Sequence, residues 1–135
     1  MTNVTLAQSY IAKAKARLKA IAVLQEAQDY SDVVREAQEI VELSLKGMLR
    51  YAGIEPPKWH DVGHLILENR FKFVGIDANT AEKLAEISSR LRKERETAFY
   101  GDIDFVPSEE YRAEEGAKAI HDATFVLSVA QGIVK

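Results

Sequence analysis

Residues 30–53 read YSDVVREAQEIVELSLKGMLRYAG (Tyr30–Gly53), and this stretch decides the fold. Apolar side chains at Val34, Ala37, Val41, Leu45, Met48 and Ala52 recur every three or four residues, the spacing that places them on one face of an α-helix. Ile40, Leu43 and Leu49 widen that face, so the helix is expected to touch neighbours on more than one side and to stand at the centre of the molecule. Its start is marked by Asp29 or Ser31, whose side-chain oxygens can accept from free N–H groups. Its end is marked by Gly53, suited to a left-handed cap, followed by Pro56 and Pro57, which cannot continue the hydrogen-bond ladder.

Working outward, Ala7, Ile11, Ala14, Leu18 and Ile21 set the stripe of an earlier helix that runs to about Ala27. On the other side, Val62, Leu65 and Ile66 mark a helix of about three turns between Trp59 and Arg70. The apolar connector Phe71 to Asp77 is expected to pack against the body, because Phe71, Phe73, Val74 and Ile76 are costly to leave in water together. Asn79, three residues before Glu82, approximates a capping box for a helix with the stripe Leu84, Ile87, Leu91 and Ala98, ending near Tyr100 and Gly101. Ser108 is positioned to cap a last helix with Ala113, Ala117, Ile120, Thr124 and Leu127 inward. No alternating strand pattern competes. The expectation is one all-α domain over residues 1–135, an up-and-down four-helix bundle with an additional short helix.

The composition fits one core: 135 residues, 47% apolar, 29% charged, three prolines. A chain of this size buries roughly 68% of its unfolded surface and needs no disulfide or metal staple. Cysteine is absent, which excludes thiolate nucleophiles, thiol redox chemistry, Cys-type zinc and iron–sulfur clusters. No apolar run reaches the roughly 20 residues of a membrane helix, and the first residues lack a basic region followed by an apolar block, so a cytoplasmic protein is expected. The net charge of −3 argues against a whole surface adapted to DNA while allowing a local basic patch. There is no Gly-rich phosphate loop, Gly-x-Ser-x-Gly elbow or dinucleotide fingerprint.

The most informative residue is Arg95. Counting four from Leu91 along the inward stripe lands on a cation, and apolar character returns only at Ala98. A buried guanidinium without partners would cost several kcal/mol. Arg95 must therefore meet a carboxylate, snorkel to water at a groove, or face a ligand or a second subunit. Glu36, Glu39 and Glu42 form an acidic row on the central helix, and Glu39 or Glu36 is the candidate to neutralise it. Arg92 lies one turn earlier and Phe99 one turn later, while Arg90 and Lys93 broaden the positive region. Such a face suits phosphate held by charge and a base held by stacking. His60 and His64, four apart, could share a metal ion, but Asp61 stands where a zincin would need glutamate, and Asp61 is better suited to start a helix. No metal and no cofactor are expected.

The segments Tyr30–Lys46, Gly53–Pro57, His60–Gly63 and Arg92–Asp102, with Pro107 and Tyr111, together resemble the HEPN domain family of prokaryotes. The resemblance spans nearly the whole chain. It implies a helical bundle that forms a homodimer and is often encoded beside a minimal nucleotidyltransferase as a toxin–antitoxin-like pair. Some members are metal-independent ribonucleases in which an arginine is followed, after four to six residues, by a histidine. Here Tyr100 occupies the fifth position after Arg95 and Phe99 the seventh after Arg92, and neither is a histidine. A tyrosine with an ordinary pKa near 10 is a poor general base at pH 7. The expected function is therefore binding of a nucleotide or RNA phosphate through Arg92, Arg95, Phe99, Tyr100 and Asp102, in partnership with the nucleotidyltransferase. The alternatives are a metal-independent endoribonuclease toxin, with Arg95 and Tyr100 as candidate catalytic residues, and a non-catalytic assembly scaffold. In related toxins a tyrosine near this motif is adenylylated by the partner, and the resemblance points to Tyr100.

Overall fold

The computed structural model describes residues 2–58, 62–103 and 105–135, omitting the side chains of Glu96 and Phe99. The chain is all-helical. Four long helices, α1 (Asn3–Glu26), α2 (Tyr30–Tyr51), α4 (Ala78–Phe99) and α6 (Ala113–Ile133), form the bundle, and two short ones, α3 (Val62–Glu68) and α5 (Pro107–Glu110), sit in the connections. A single 3₁₀ turn covers Arg70–Lys72.

As the apolar pattern predicts, α2 is central. It packs against α1, α3, α4 and α6 and buries Val33, Val34, Ala37, Ile40, Val41, Leu45, Met48 and Leu49 to 1% exposure or less. Its end follows the expected chemistry. Gly53 takes φ +80°, and the Ile54 N–H reaches back to the Leu49 carbonyl at 2.8 Å while the Gly53 N–H bonds Arg50. This closes the last turn. At its start Asp29 holds the cap position but bonds no helix N–H through its side chain; its carboxylate instead accepts from the Ser31 hydroxyl at 3.5 Å.

Several local expectations are corrected. Helix α4 is capped by Asp77, whose Oδ1 accepts from the Thr80 N–H at 2.7 Å. Asn79 already lies inside the helix and cannot serve as the flanking residue that a cap requires. That bond holds the Asp77 carboxyl below the usual carboxylate range. Of the helix expected between Trp59 and Arg70, the described residues show α3 over Val62–Glu68, and Trp59, His60 and Asp61 lie outside the described residues. The connector after α3 packs only in part. Phe73 is buried, whereas Phe71 and Val74 are 80% and 92% exposed, because the 3₁₀ turn and the left-handed Gly75 direct alternate side chains away from the body. Ser108 does not cap α6. It lies in α5, and an extended Tyr111 separates the two helices by packing edge-on against Phe105, 5.9 Å between ring centroids.

The inward face of α6 is turned by about one residue from the expected one. Gly116, Ala119, Ala123, Val126, Leu127 and Ala130 are buried, while Ala113, Ala117 and Thr124 are exposed and Ile120 is intermediate. Small residues on that face let α6 approach its neighbours closely, a preference that counting bulky side chains does not detect. The turn also carries Asp122 inward to 4% exposure. Arg90 of α4 meets it at 2.6 Å and Lys118 at 3.4 Å, so a carboxylate in the core is held by two cations.

Two predictions follow from this architecture. Asp122→Ala leaves the Arg90 guanidinium partly buried without its cross-helix partner and is expected to lower unfolding free energy by about 3 kcal/mol in urea denaturation. At the start of α2, partial burial, then the shared hydrogen bond and charge of Asp29, push the Asp32 carboxyl up to about 6. Between its ordinary value and 6 the folded chain binds the extra proton, so this group destabilises the fold as pH rises through 6. Asp32→Asn should raise the Tm at pH 7 to 8, with the gain fading as pH falls from 6 toward 4.

Candidate functional site

With one broad face of α2 buried, its acidic row lies on the remaining arc, and each carboxylate is met by a cation from a different place. Glu36 is paired with Arg17 of α1 at 2.6 Å. Glu39 is paired with Arg95 of α4 at 2.6 Å. Glu42 is paired with Lys46 of its own helix at 3.2 Å and also accepts from the Gln38 amide at 3.2 Å. Of the two candidates for Arg95, the structure selects Glu39, because Glu36 is engaged from the α1 side. Gln38 was not anticipated. It is 5% exposed, and its Oε1 has no hydrogen-bond partner among the described residues.

Arg95 continues the stripe of Leu84, Ile87 and Leu91, all at 1% exposure or less, but its own side chain is 43% exposed against 23% for Glu39. The guanidinium therefore bridges α4 to α2 at a seam that is open to water. It is neither sealed in the core nor on a remote exterior. Arg92, one turn earlier, is half-buried and has an interaction of its own. Arg90 is not part of this region. It bonds Glu86 at 3.0 Å and Asp122 at 2.6 Å, so the positive patch is narrower than the run of cations suggested. Lys93, with Glu86 and Ser89, borders a separate shallow depression of about 460 Å³.

Immediately past α4 the chain makes a closed turn. Asp102 and Phe105 exchange backbone hydrogen bonds at 2.9 and 3.0 Å, and the Asp102 carboxylate accepts from the Ile103 N–H at 2.6 Å. That carboxylate is thus engaged in building the turn. Gly101 enters it at φ +73°, and a Cβ there would overlap the Phe105 carbonyl and the Pro107 ring. Tyr100 stands at the mouth of this turn, 75% exposed. The Phe99 side chain, expected to contribute stacking, lies outside the described atoms. Burial first, then the charges of Glu94 and Glu115, raise the pKa of Tyr111, which keeps that phenol protonated.

Of the histidines, His64 meets Glu68 one turn on at 2.7 Å and His121 is exposed on α6; His60 lies outside the described residues. Among the described residues no three His, Asp or Glu side chains stand close enough to hold a metal ion. No described helix is long and apolar enough to cross a membrane.

The HEPN domain family matches residues 7–133. The chain belongs to that family. The crystal structure of an archaeal HEPN homologue superposes with a TM-score of 0.72 at 21% identity, covering 96% of this chain and 98% of that one. At that identity the likeness speaks for the fold. No curated protein matches in sequence.

The turn that follows α4 offers a direct test of what its glycine contributes. Gly101→Ala combines left-handed strain with overlap and should lower unfolding free energy by roughly 2 kcal/mol. Gly53→Ala has similar strain but open space around it and should cost about 1 kcal/mol. Chemical denaturation of the two variants side by side measures the difference.

Proposed function

We propose that this HEPN-domain protein binds a nucleotide or RNA phosphate at the seam between α2 and α4 and acts as a homodimeric partner of a minimal nucleotidyltransferase in a toxin–antitoxin-like module. The observation that carries the reading is the half-exposed Arg95 guanidinium held at 2.6 Å by Glu39. A guanidinium presents donors in a planar fork suited to phosphate oxygens. Its present partner is a partly solvated carboxylate, an interaction weak enough for a multiply charged phosphate to displace. Arg92 on the same helix adds charge, and the exposed Tyr100 ring just past the end of that helix suits stacking on a base. The same exposure leaves Tyr100 accessible as the acceptor of a nucleotidyl group from the partner enzyme.

Binding without cleavage fits the residues better than catalysis. None of the fifth to seventh positions after Arg95, which are Tyr100, Gly101 and Asp102, carries an imidazole, so proton transfer near pH 7 lacks its usual agent.

Titration of the protein with a nucleoside triphosphate and with a short RNA, in the presence of chelator, tests this. Arg95→Ala should weaken binding by about tenfold or more, and Glu39→Gln, which removes the competing charge while keeping the shape, should tighten it. RNA should remain intact with the wild-type protein, and the adjacent nucleotidyltransferase should copurify with it. A monomeric chain with no affinity for either ligand or for that partner overturns the reading. RNA cleavage lost in Arg95→Ala would establish the ribonuclease instead.

A further inference from the structure

Helices α1 and α6 run antiparallel and are fastened to each other near both ends. Gln8 Nε2 donates to the Lys135 carbonyl at 3.0 Å, and Gln25 Nε2 donates to the Ala113 carbonyl at 3.2 Å. Between these two fastenings the helices leave an open groove of about 300 Å³. Leu18 and Leu127 line it, with Lys15 and Lys19 along the α1 side and Thr124 and Ser128 along the α6 side.

The charge of this groove is one-sided. Helix α1 carries Lys13, Lys15, Arg17 and Lys19 and no acid before Glu26. Arg17 is neutralised by Glu36, on the α2 side, but among the described residues Lys15 and Lys19 meet no carboxylate. On α6 no acidic residue follows Asp122, and Asp122 is occupied by Arg90 and Lys118. A chain of net charge −3 therefore has one groove with an apolar floor, two cations one helical turn apart, and no anion.

We infer that the α1–α6 groove is a docking site for an acidic amphipathic helix of a partner protein. A third helix laid along two antiparallel ones places apolar residues at i, i+3 or i+4 and i+7 over Leu18 and the aliphatic stems of Lys15 and Lys19, with Leu127, 3% exposed, closing the floor beneath them. Carboxylates one turn apart on its flank then face Lys15 and Lys19, whose spacing is also one turn. A phosphodiester backbone fits less well. It would press charged oxygens against leucine, and the Thr124 hydroxyl hydrogen is already donated to the Ile120 carbonyl at 2.7 Å, so it is not available to a phosphate. A second copy of this chain set about a two-fold axis would present this same cationic face, which holds no acid to meet Lys15 and Lys19. The groove lies between a different pair of helices from Arg95, so this inference does not depend on the proposed phosphate site.

The test uses the full chain, isotope-labelled for amide spectra, and three probes. One is a synthetic helical peptide of about five turns with a leucine stripe flanked by glutamates. The second carries the same stripe flanked by lysines, and the third is an oligouridylate. The acidic peptide should bind and shift amides along α1 and α6, and should weaken as salt rises. The double variant Lys15→Glu/Lys19→Glu alters two exposed positions and should keep the helical spectrum while losing roughly tenfold or more in affinity for that peptide. Several results overturn the proposal: no binding of the acidic peptide, equal binding of the lysine peptide, unchanged affinity in the double variant, shifts confined to other helices, or displacement of the peptide by oligouridylate.

Discussion

The structure is organised by the breadth of the apolar face on α2. A face that wide cannot be covered by one neighbour, so α1, α4 and α6 must all lie against it, and the polar row Glu36, Glu39 and Glu42 is confined to the arc that remains. Neighbouring helices flank that arc and can reach over it with long cationic side chains. Arg17 does so from one side and Arg95 from the other. The position of the candidate site is thus a consequence of how the core is shared out.

The two cross-helix arginines of α4 show how burial changes the meaning of an ion pair. Arg90 meets a carboxylate that is 5% exposed in its side chain, where water cannot substitute for the partner and the pair behaves as part of the core. Arg95 meets one that is 23% exposed while itself being 43% exposed. Such a pair is screened and contributes little to stability. Five residues apart on one helix, the same side chain serves to join two helices in one case and is open to exchange its partner in the other.

The class, the central helix, its glycine stop and the interrupted stripe at Arg95 were all legible in the sequence, because each depends on local periodicity or on the conformational limits of glycine and proline. What was not legible depended on relations between helices. The first half of the inward face of α6, Gly116, Ala119 and Ala123, is glycine and alanine, which carry little hydropathic signal, and Asp122 reads as a surface residue until Arg90 is seen opposite it. The choice between Glu36 and Glu39 could not be made without knowing which helix lies on which side. Asp77 could have been found as the α4 cap, since it stands three residues before Thr80, but the Asn79–Glu82 spacing resembled a capping box more closely. Phe71 and Val74 were read as packed from their chemistry alone, and the turn directed them outward.

The fastenings between α1 and α6 also bear on the order in which the chain assembles. Arg17 and Glu36 are separated by 19 residues, whereas Gln25 and Ala113 are separated by 88. Bringing the latter pair together costs about 1.4 kcal/mol more in loop-closure entropy. The first two helices can thus form a hairpin from nearby contacts, while the seam with α6 waits until the long intervening stretch has collapsed. Synthesis from the amino end leaves α1 with one flank uncovered until the final helix emerges.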